Sequence, residues 1–194
     1  MKVAVLGKVD PKGLSFLIEN EFKVIEIENF EIQNLKEQLK DVDGILLRTT
    51  KLDKEILEHC DNLKIISRHG VGYDNVDLDF LNENKIALCI TSTSNAVSVA
   101  EHVLSFFIYL TKNLSLSDSL VKEGNFEKRS QLPNFFELYK KKVLIIGFGR
   151  IGKEVAKRCL GFDMEVYVYD PFLDNEIIIR NQCIPIEKNQ GLAI

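Results

Sequence analysis

The sequence predicts an α/β fold with parallel sheets, and three observations carry that expectation. Short apolar runs alternate with amphipathic stretches through residues 1–95. Further along, Val143–Ile146 reads as a buried parallel strand that breaks at Gly147, where a helical pattern begins. A second strand candidate, Met164-Glu-Val-Tyr-Val-Tyr169, follows and ends in Asp170. Strand, helix and strand in that order imply parallel sheets, covered by helices through right-handed crossovers.

In the first part the strand candidates are Lys2–Leu6, Phe22–Ile27, Gly44–Leu47, Leu63–Ser67 and Ile86–Ile90. Helix candidates lie between them near Leu14–Glu19, Ile32–Leu39, Lys54–His59 and Leu78–Asn84. The longest apolar-rich helix candidate covers residues 96–113, with Val99, Val103, Phe106, Phe107 and Leu110 spaced for one wide buried face. A short helix over Leu116–Glu123 comes next. Gly124 to Lys141 then reads as irregular, and its Phe126, Leu132, Phe135 and Phe136 suggest packing on some surface, a partner subunit being one candidate. No short-period repeat or low-complexity segment is present.

Gly147, Gly149 and Gly152 form G-x-G-x-x-G between the strand and a helix marked by Ile151, Val155, Ala156, Cys159 and Leu160. The first glycine allows the tight turn, the second lets a pyrophosphate approach the backbone, and the third lets helix and strand pack closely. Unpaired N–H groups at the helix start then face the anion, aided by the helix dipole. Asp170 falls about twenty residues beyond the glycines, where a carboxylate can accept hydrogen bonds from a ribose diol. It would repel a 2′-phosphate, and no basic residue follows until Arg180, so NAD is favoured over NADP. The blander role for Asp170 is a turn residue before Pro171.

Bulk properties narrow the function classes. The 194 residues allow one large domain or two small ones. A formal net charge of −4 gives no support for nucleic acid or an anionic membrane as partner. Cys60, Cys89, Cys159 and Cys183 are scattered without metal-like spacing, so no metal site is expected. Most sit among apolar residues, which suits small core residues in a reducing compartment. The N-terminal Met-Lys-Val-Ala-Val-Leu-Gly is too short for a signal h-region and reads as a first strand. The longest apolar stretch, Val103 to Leu110, is far below membrane-spanning length. A soluble cytoplasmic protein is the expectation.

Open α/β sheets bind ligands off the carboxyl ends of their strands. There the sequence places Arg48-Thr-Thr50, Arg68-His-Gly-Val-Gly-Tyr-Asp-Asn75 and Thr91-Ser-Thr-Ser-Asn95. A guanidinium fork and backbone N–H groups in such loops can hold a small carboxylate or phosphate, though each alone is also ordinary turn chemistry. A phosphoacceptor receiver domain would need an acidic cluster after the first strand and an aspartate ending the third. The chain has Gly7-Lys-Val-Asp10 and Arg48 there, so that alternative fails on its chemistry.

Three stretches together resemble the D-isomer-specific 2-hydroxyacid dehydrogenases, most closely their D-3-phosphoglycerate dehydrogenase branch. They are Arg68-His-Gly-Val-Gly-Tyr-Asp-Asn-Val-Asp77, Ser94-Asn-Ala-Val-Ser-Val-Ala-Glu-His102, and Gly147-Phe-Gly-Arg-Ile-Gly152 through Tyr169-Asp-Pro171. The resemblance implies a flavodoxin-like substrate lobe over residues 1–95 and the first part of a Rossmann NAD-binding lobe over 96–194. It implies NAD as cofactor, held between the lobes, and a homodimer formed through the NAD lobe. By position it assigns Arg48, Gly70, Val71, Gly72 and Asn95 to substrate, and Gly147, Gly149, Arg150, Ile151, Gly152 and Asp170 to NAD. The implied reaction is hydride transfer between NAD(H) and a small D-2-hydroxy or 2-oxo acid.

The family's catalytic arginine, glutamate and histidine lie well beyond the first acidic-tipped strand. Only twenty-four residues follow Asp170 here, and none is a histidine. No catalytic residue is therefore assigned, and the chain is expected to be C-terminally truncated and impaired in turnover. The tail after Asp170 has room for a short helix and one strand at most. His102 beside Glu101 invites an acid/base role, but adjacent residues on a helix do not face each other. The alternative expectation is a non-catalytic NAD- or partner-binding module, or one chain of a split enzyme.

Overall fold

The structure is a computed structural model that describes residues 1–187. The chain divides into two compact units, Met1–Ser94 and a second that starts at Asn95.

The first unit is a five-stranded parallel sheet with helices between the strands. Its strands are β1 (Lys2–Leu6), β2 (Lys23–Ile27), β3 (Gly44–Leu47), β4 (Ile65–Arg68) and β5 (Ala87–Ile90). They lie in the order β2-β1-β3-β4-β5, the flavodoxin-like order. The helices are α1 (Pro11–Glu19), α2 (Ile32–Gln38), α3 (Lys54–Leu57) and α4 (Leu78–Glu83). The core joins Ala4, Leu6, Ile45, Leu47 and Ile66 from the sheet to Leu35, Leu39, Ile56 and Leu57 from α2, its C-terminal cap and α3.

Helix starts follow side-chain chemistry. Asp10 caps α1 by accepting from the Lys12 N–H at 2.8 Å, and Pro11 supplies a preset φ at the first helical position. The apolar periodicity from Leu14 alone places this start too late. Asp77 caps α4 through the Phe80 N–H at 3.0 Å. The fourth strand candidate is shifted as well: β4 runs to Arg68, so this arginine ends the strand instead of following it.

The second unit opens with α5 (Ala96–Thr111) and α6 (Leu114–Lys122). The stretch expected to be irregular contains a 3-10 turn over Phe126–Gln131. The parallel strands β6 (Lys142–Ile146), β7 (Glu165–Tyr169) and β8 (Ile184–Pro185) follow, ordered β6-β7-β8, with α7 (Arg150–Gly161) and α8 (Asn175–Arg180) between them. Read from β8, this is the 3-2-1 half of a Rossmann sheet. Its core packs Ile145, Val166 and Val168 against Ala100 and Leu104 of α5, Val155, Ala156 and Cys159 of α7, and Ile178 of α8. The short helix and strand expected after Asp170 are α8 and β8; the terminal Gly-Leu-Ala-Ile lies outside the described residues.

Candidate functional site: a latched glycine turn and an arginine-bearing sheet edge

In the second unit β6 runs straight into the glycine turn. Gly147 has φ +88°, a left-handed conformation that L side chains rarely adopt. Its N–H donates to the Tyr169 carbonyl at 2.8 Å, so the turn begins while still tied to β7. A Cβ on Gly152 would collide with the Gly147 carbonyl oxygen, which shows how closely α7 approaches the strand end. Among the described residues, nothing beyond the adjoining residues lies within 4 Å of a Cβ built on Gly147 or Gly149, so the turn is open there. Gly149 is the N-cap of α7 and offers no side-chain cap, and the first backbone bond is Lys153 N–H to Gly149 O at 3.1 Å. The N–H groups of Arg150, Ile151 and Gly152 precede that bond and are the ones a helix start presents to an anion.

Asp170 does more than end β7. Its Oδ2 accepts the Phe148 N–H at 2.7 Å, and its Oδ1 accepts the Phe172 N–H at 2.9 Å. The second bond is the turn role before Pro171. The first latches the acid to the middle of the glycine turn. These backbone donors, Phe148 foremost, hold the Asp170 carboxyl below its ordinary pKa. Each carboxylate oxygen keeps a second acceptor site for a hydroxyl. Phe148 itself is fully buried and anchors the turn in the core. Sequence reasoning passed over Phe148 because it occupies a variable position of the motif; its signal is an aromatic between two glycines that must be open.

In the first unit the loops after β3 and β4 form one connected edge. The Asn75 side-chain amide donates to the Thr50 carbonyl at 2.8 Å, and the Leu52 N–H donates to the Asn75 carbonyl at 2.8 Å. The loop after β5 joins through the Thr91 N–H and Gly70 carbonyl at 3.0 Å. Arg48, Gly70, Val71 and Gly72 therefore lie on loops tied to one another at the carboxyl edge. Arg48 is exposed, with Nη1 donating to the Lys8 carbonyl at 3.3 Å. Gly7, at φ +103°, passes so near that its Cβ would sit 3.0 Å from the Arg48 Cβ.

Arg68 belongs in the same group, as its place in the strand-end loops suggests, although the family resemblance assigns it no substrate role. Its guanidinium lies over Gly70, Nη1 donates to the His69 carbonyl at 3.3 Å, and Nε is buried with no partner among the described residues. A buried guanidinium N–H without an acceptor can still receive one. A cavity of about 540 Å³ beside Gly72 is lined in part by Asp74 and Asp79, the wrong charge for a carboxylic acid. The positively charged and N–H donor groups of this edge are its arginines and loop backbone.

Asn95 opens the second unit as the N-cap of α5; its carbonyl accepts from the Val99 N–H at 2.9 Å, and its side chain makes no capping bond. His102 is exposed and packs edge-on against Phe106, ring centroids 4.3 Å apart. Its neighbour Glu101 instead pairs with Arg158 at 3.3 Å. The two side chains are engaged separately, as their adjacency on a helix predicts.

The family model described as D-isomer specific 2-hydroxyacid dehydrogenase, catalytic domain, matches residues 3–167. The chain belongs to this family. D-3-phosphoglycerate dehydrogenase of Archaeoglobus fulgidus is 33% identical to this family member over 91% of the chain. Hydroxypyruvate reductase of Thermotoga maritima is 34% identical over 88% of it. The matches span 33% and 55% of those two relatives' own lengths. Among solved structures, NAD-dependent formate dehydrogenase from Staphylococcus aureus in complex with NAD is similar at TM-score 0.82 and 28% identity, over 98% of this chain and 61% of that one. D-lactate dehydrogenase from Aquifex aeolicus complexed with NAD and lactic acid is similar at TM-score 0.80 and 27% identity, over 95% and 56%. No helix among the described residues is long and apolar enough to cross a membrane.

Proposed function

We propose that this chain carries the substrate-binding and pyrophosphate-binding parts of an NAD-dependent D-2-hydroxyacid oxidoreductase, similar to D-3-phosphoglycerate dehydrogenase. The observation that carries this reading is the Asp170–Phe148 latch, which ties a ribose-competent carboxylate to an open glycine turn. When bound, NAD supplies a hydride acceptor. The Arg150 and Ile151 N–H groups would hold its pyrophosphate, with Gly147, Gly149 and Gly152 giving the backbone access. Asp170 would accept from the adenosine ribose hydroxyls and would disfavour a 2′-phosphate by charge. In the first unit, Arg48 and the backbone of Gly70, Val71 and Gly72 orient the acid, with the Arg68 guanidinium packed against Gly70. Asn95, the N-cap of α5 in the second unit, is a further substrate-binding residue in this reading.

The first unit is thus the substrate lobe and the second the NAD-binding part, and the complete enzyme works as a cytoplasmic homodimer. The free thiols and mild acidity support that setting. Calorimetric titration of the folded chain with NAD tests the reading. Saturable binding is expected at or below millimolar concentration, and Asp170→Ala should weaken it on the order of tenfold through the lost charged acceptor. A folded sample that binds no NAD at millimolar concentration sinks the proposal.

A second reading, a chain that binds NAD or a partner but does not complete the reaction alone, is supported by the sheet of the second unit, which has three strands among the described residues. No turnover by the purified chain is expected. NAD-linked oxidation at an ordinary rate, abolished by His102→Ala, would overturn both this expectation and the view of His102 as a packing residue.

A further inference from the structure

α7 and α8 pack on the same core, and the groove between them holds a cavity of about 550 Å³. Helical spacing decides what lines it. Gly152, Val155, Ala156 and Cys159 are the buried positions of α7. Lys153, Lys157 and Leu160 follow at i, i+4 and i+7, so they form one flank of the helix. Across the cavity lie Arg180, the last residue of α8, and Asn181 and Gln182 just beyond it.

Three cations thus line one groove, in a chain whose formal net charge is −4. Like charges four residues apart on a helix repel, and neither Lys153 nor Lys157 has an ion pair among the described residues. Lys153 instead places its Nζ 6.0 Å from the centroid of the Phe148 ring. Glu154 also borders the cavity, but its carboxylate is drawn to Arg158 at 2.6 Å, and Arg158 reaches on to Glu101 of α5. Arg180 holds Glu176 at 3.0 Å, yet both side chains are largely exposed, and such a surface pair yields readily to a better acceptor.

We propose that this groove binds a small metabolite bearing a diphosphate group. The Arg180 guanidinium can fork two phosphate oxygens, while Lys153 and Lys157 act as point charges from the facing helix. The cavity falls within the roughly 300–1,000 Å³ typical of small-ligand clefts. Its floor, Ala156 and the half-buried Leu160, is apolar and suits the uncharged part of such a ligand. The acidic chain as a whole opposes long polyanions, whose charge extends past the groove. The site is separate from the glycine turn, which offers backbone N–H groups, whereas the groove offers side chains.

Titration of the full chain with inorganic pyrophosphate at about 0.1 M ionic strength, where exposed charges are screened beyond roughly 10 Å, tests this. Saturable NMR shifts are expected at the Lys157, Asn181 and Gln182 amides. Lys157→Gln and Arg180→Gln should each weaken binding at least about fivefold. Lys12→Gln removes the same charge from the exposed surface of the first unit and should leave binding unchanged. Shifts that never saturate, or an equal loss with Lys12→Gln, overturn the proposal. So does displacement of pyrophosphate by NAD, which would put the anion at the glycine turn. Tighter binding of a single-stranded oligonucleotide or of phosphatidylserine vesicles through Lys157 and Arg180 overturns the small-ligand assignment. Pyrophosphate in the groove of a chain that binds no NAD sinks the cofactor reading alone.

Discussion

β1 and β6 are near twins in sequence, Lys-Val-Ala-Val-Leu and Lys-Val-Leu-Ile-Ile, but they sit in different surroundings. β1 is flanked by β2 and β3, and its last three residues, Ala4, Val5 and Leu6, are buried on both faces. Among the described residues β6 has one neighbour, and only its Ile145 is buried. Composition thus sets how apolar a strand is, while neighbours set how much of it leaves water. A parallel strand at an edge keeps the sequence of an interior strand without its environment.

The largest expected effect breaks or sharpens this contrast directly. Leu6→Ala should destabilise the first unit by about 2–5 kcal/mol, the range for emptying a packed site. Ile146→Ala should change the second by no more than about 0.5 kcal/mol, as at exposed positions. Urea unfolding followed separately for each unit checks this, since two units need not melt together. Equal costs would show that β6 is covered after all.

Two glycines give the next comparison. Gly152→Ala forces α7 away from the Gly147 carbonyl and should cost about 1–3 kcal/mol, with weaker NAD binding. Gly13, in α1 with nothing near its Cβ position, should gain about 0.4–1 kcal/mol on change to alanine. The same unfolding curves read both.

Acid acts on both units with one sign. Asp170 is held low by the Phe148 and Phe172 N–H groups, Asp43 first by Lys64 and then by the Lys2 N–H, and Asp41 first by the Lys2 ammonium. A carboxyl with a folded pKa below its unfolded value stabilises above the unfolded value and loses that contribution as pH falls through the folded one. Stability should therefore be flat near neutrality and decline in acid, with the Phe148 amide signal shifting as Asp170 protonates. A Phe148 shift centred at or above the ordinary aspartate pKa would break the latch.

The smallest effect is a labelling order. Burial pushes the thiols of Cys60 and Cys159 up to about 11, and Cys183 is raised as well, whereas Cys89 on β5 is exposed. Alkylation near neutral pH should modify Cys89 first and the three buried thiols only on unfolding, read by mass spectrometry. Three of the four cysteines are small core residues, as their apolar surroundings predict.

Much of the fold was legible because its signals are local. Period-two and period-3.6 patterns placed the strands and helices, and the G-x-G-x-x-G spacing with Asp170 placed the turn. Boundaries slipped where polar chemistry, not periodicity, starts an element. Asp10 and Pro11 begin α1 before its apolar pattern, and Phe126–Gln131 winds into a 3-10 turn with no apolar period to announce it. Arg68 ends β4 and folds over Gly70, a placement that depends on where the strand stops.

The sequence alone determined the parallel α/β class, the glycine turn and the family, because these rest on short-range spacing that the backbone must obey. Only the tertiary structure decided that Asp170 reaches back to the Phe148 N–H, that Asn75 ties the loops after β3 and β4, and that Ile146 lies in the open while Val5 does not. Those facts depend on which distant residues become neighbours. Hydrogen-bond partners and burial belong to pairs of segments, and no single stretch of sequence encodes the other half of a pair.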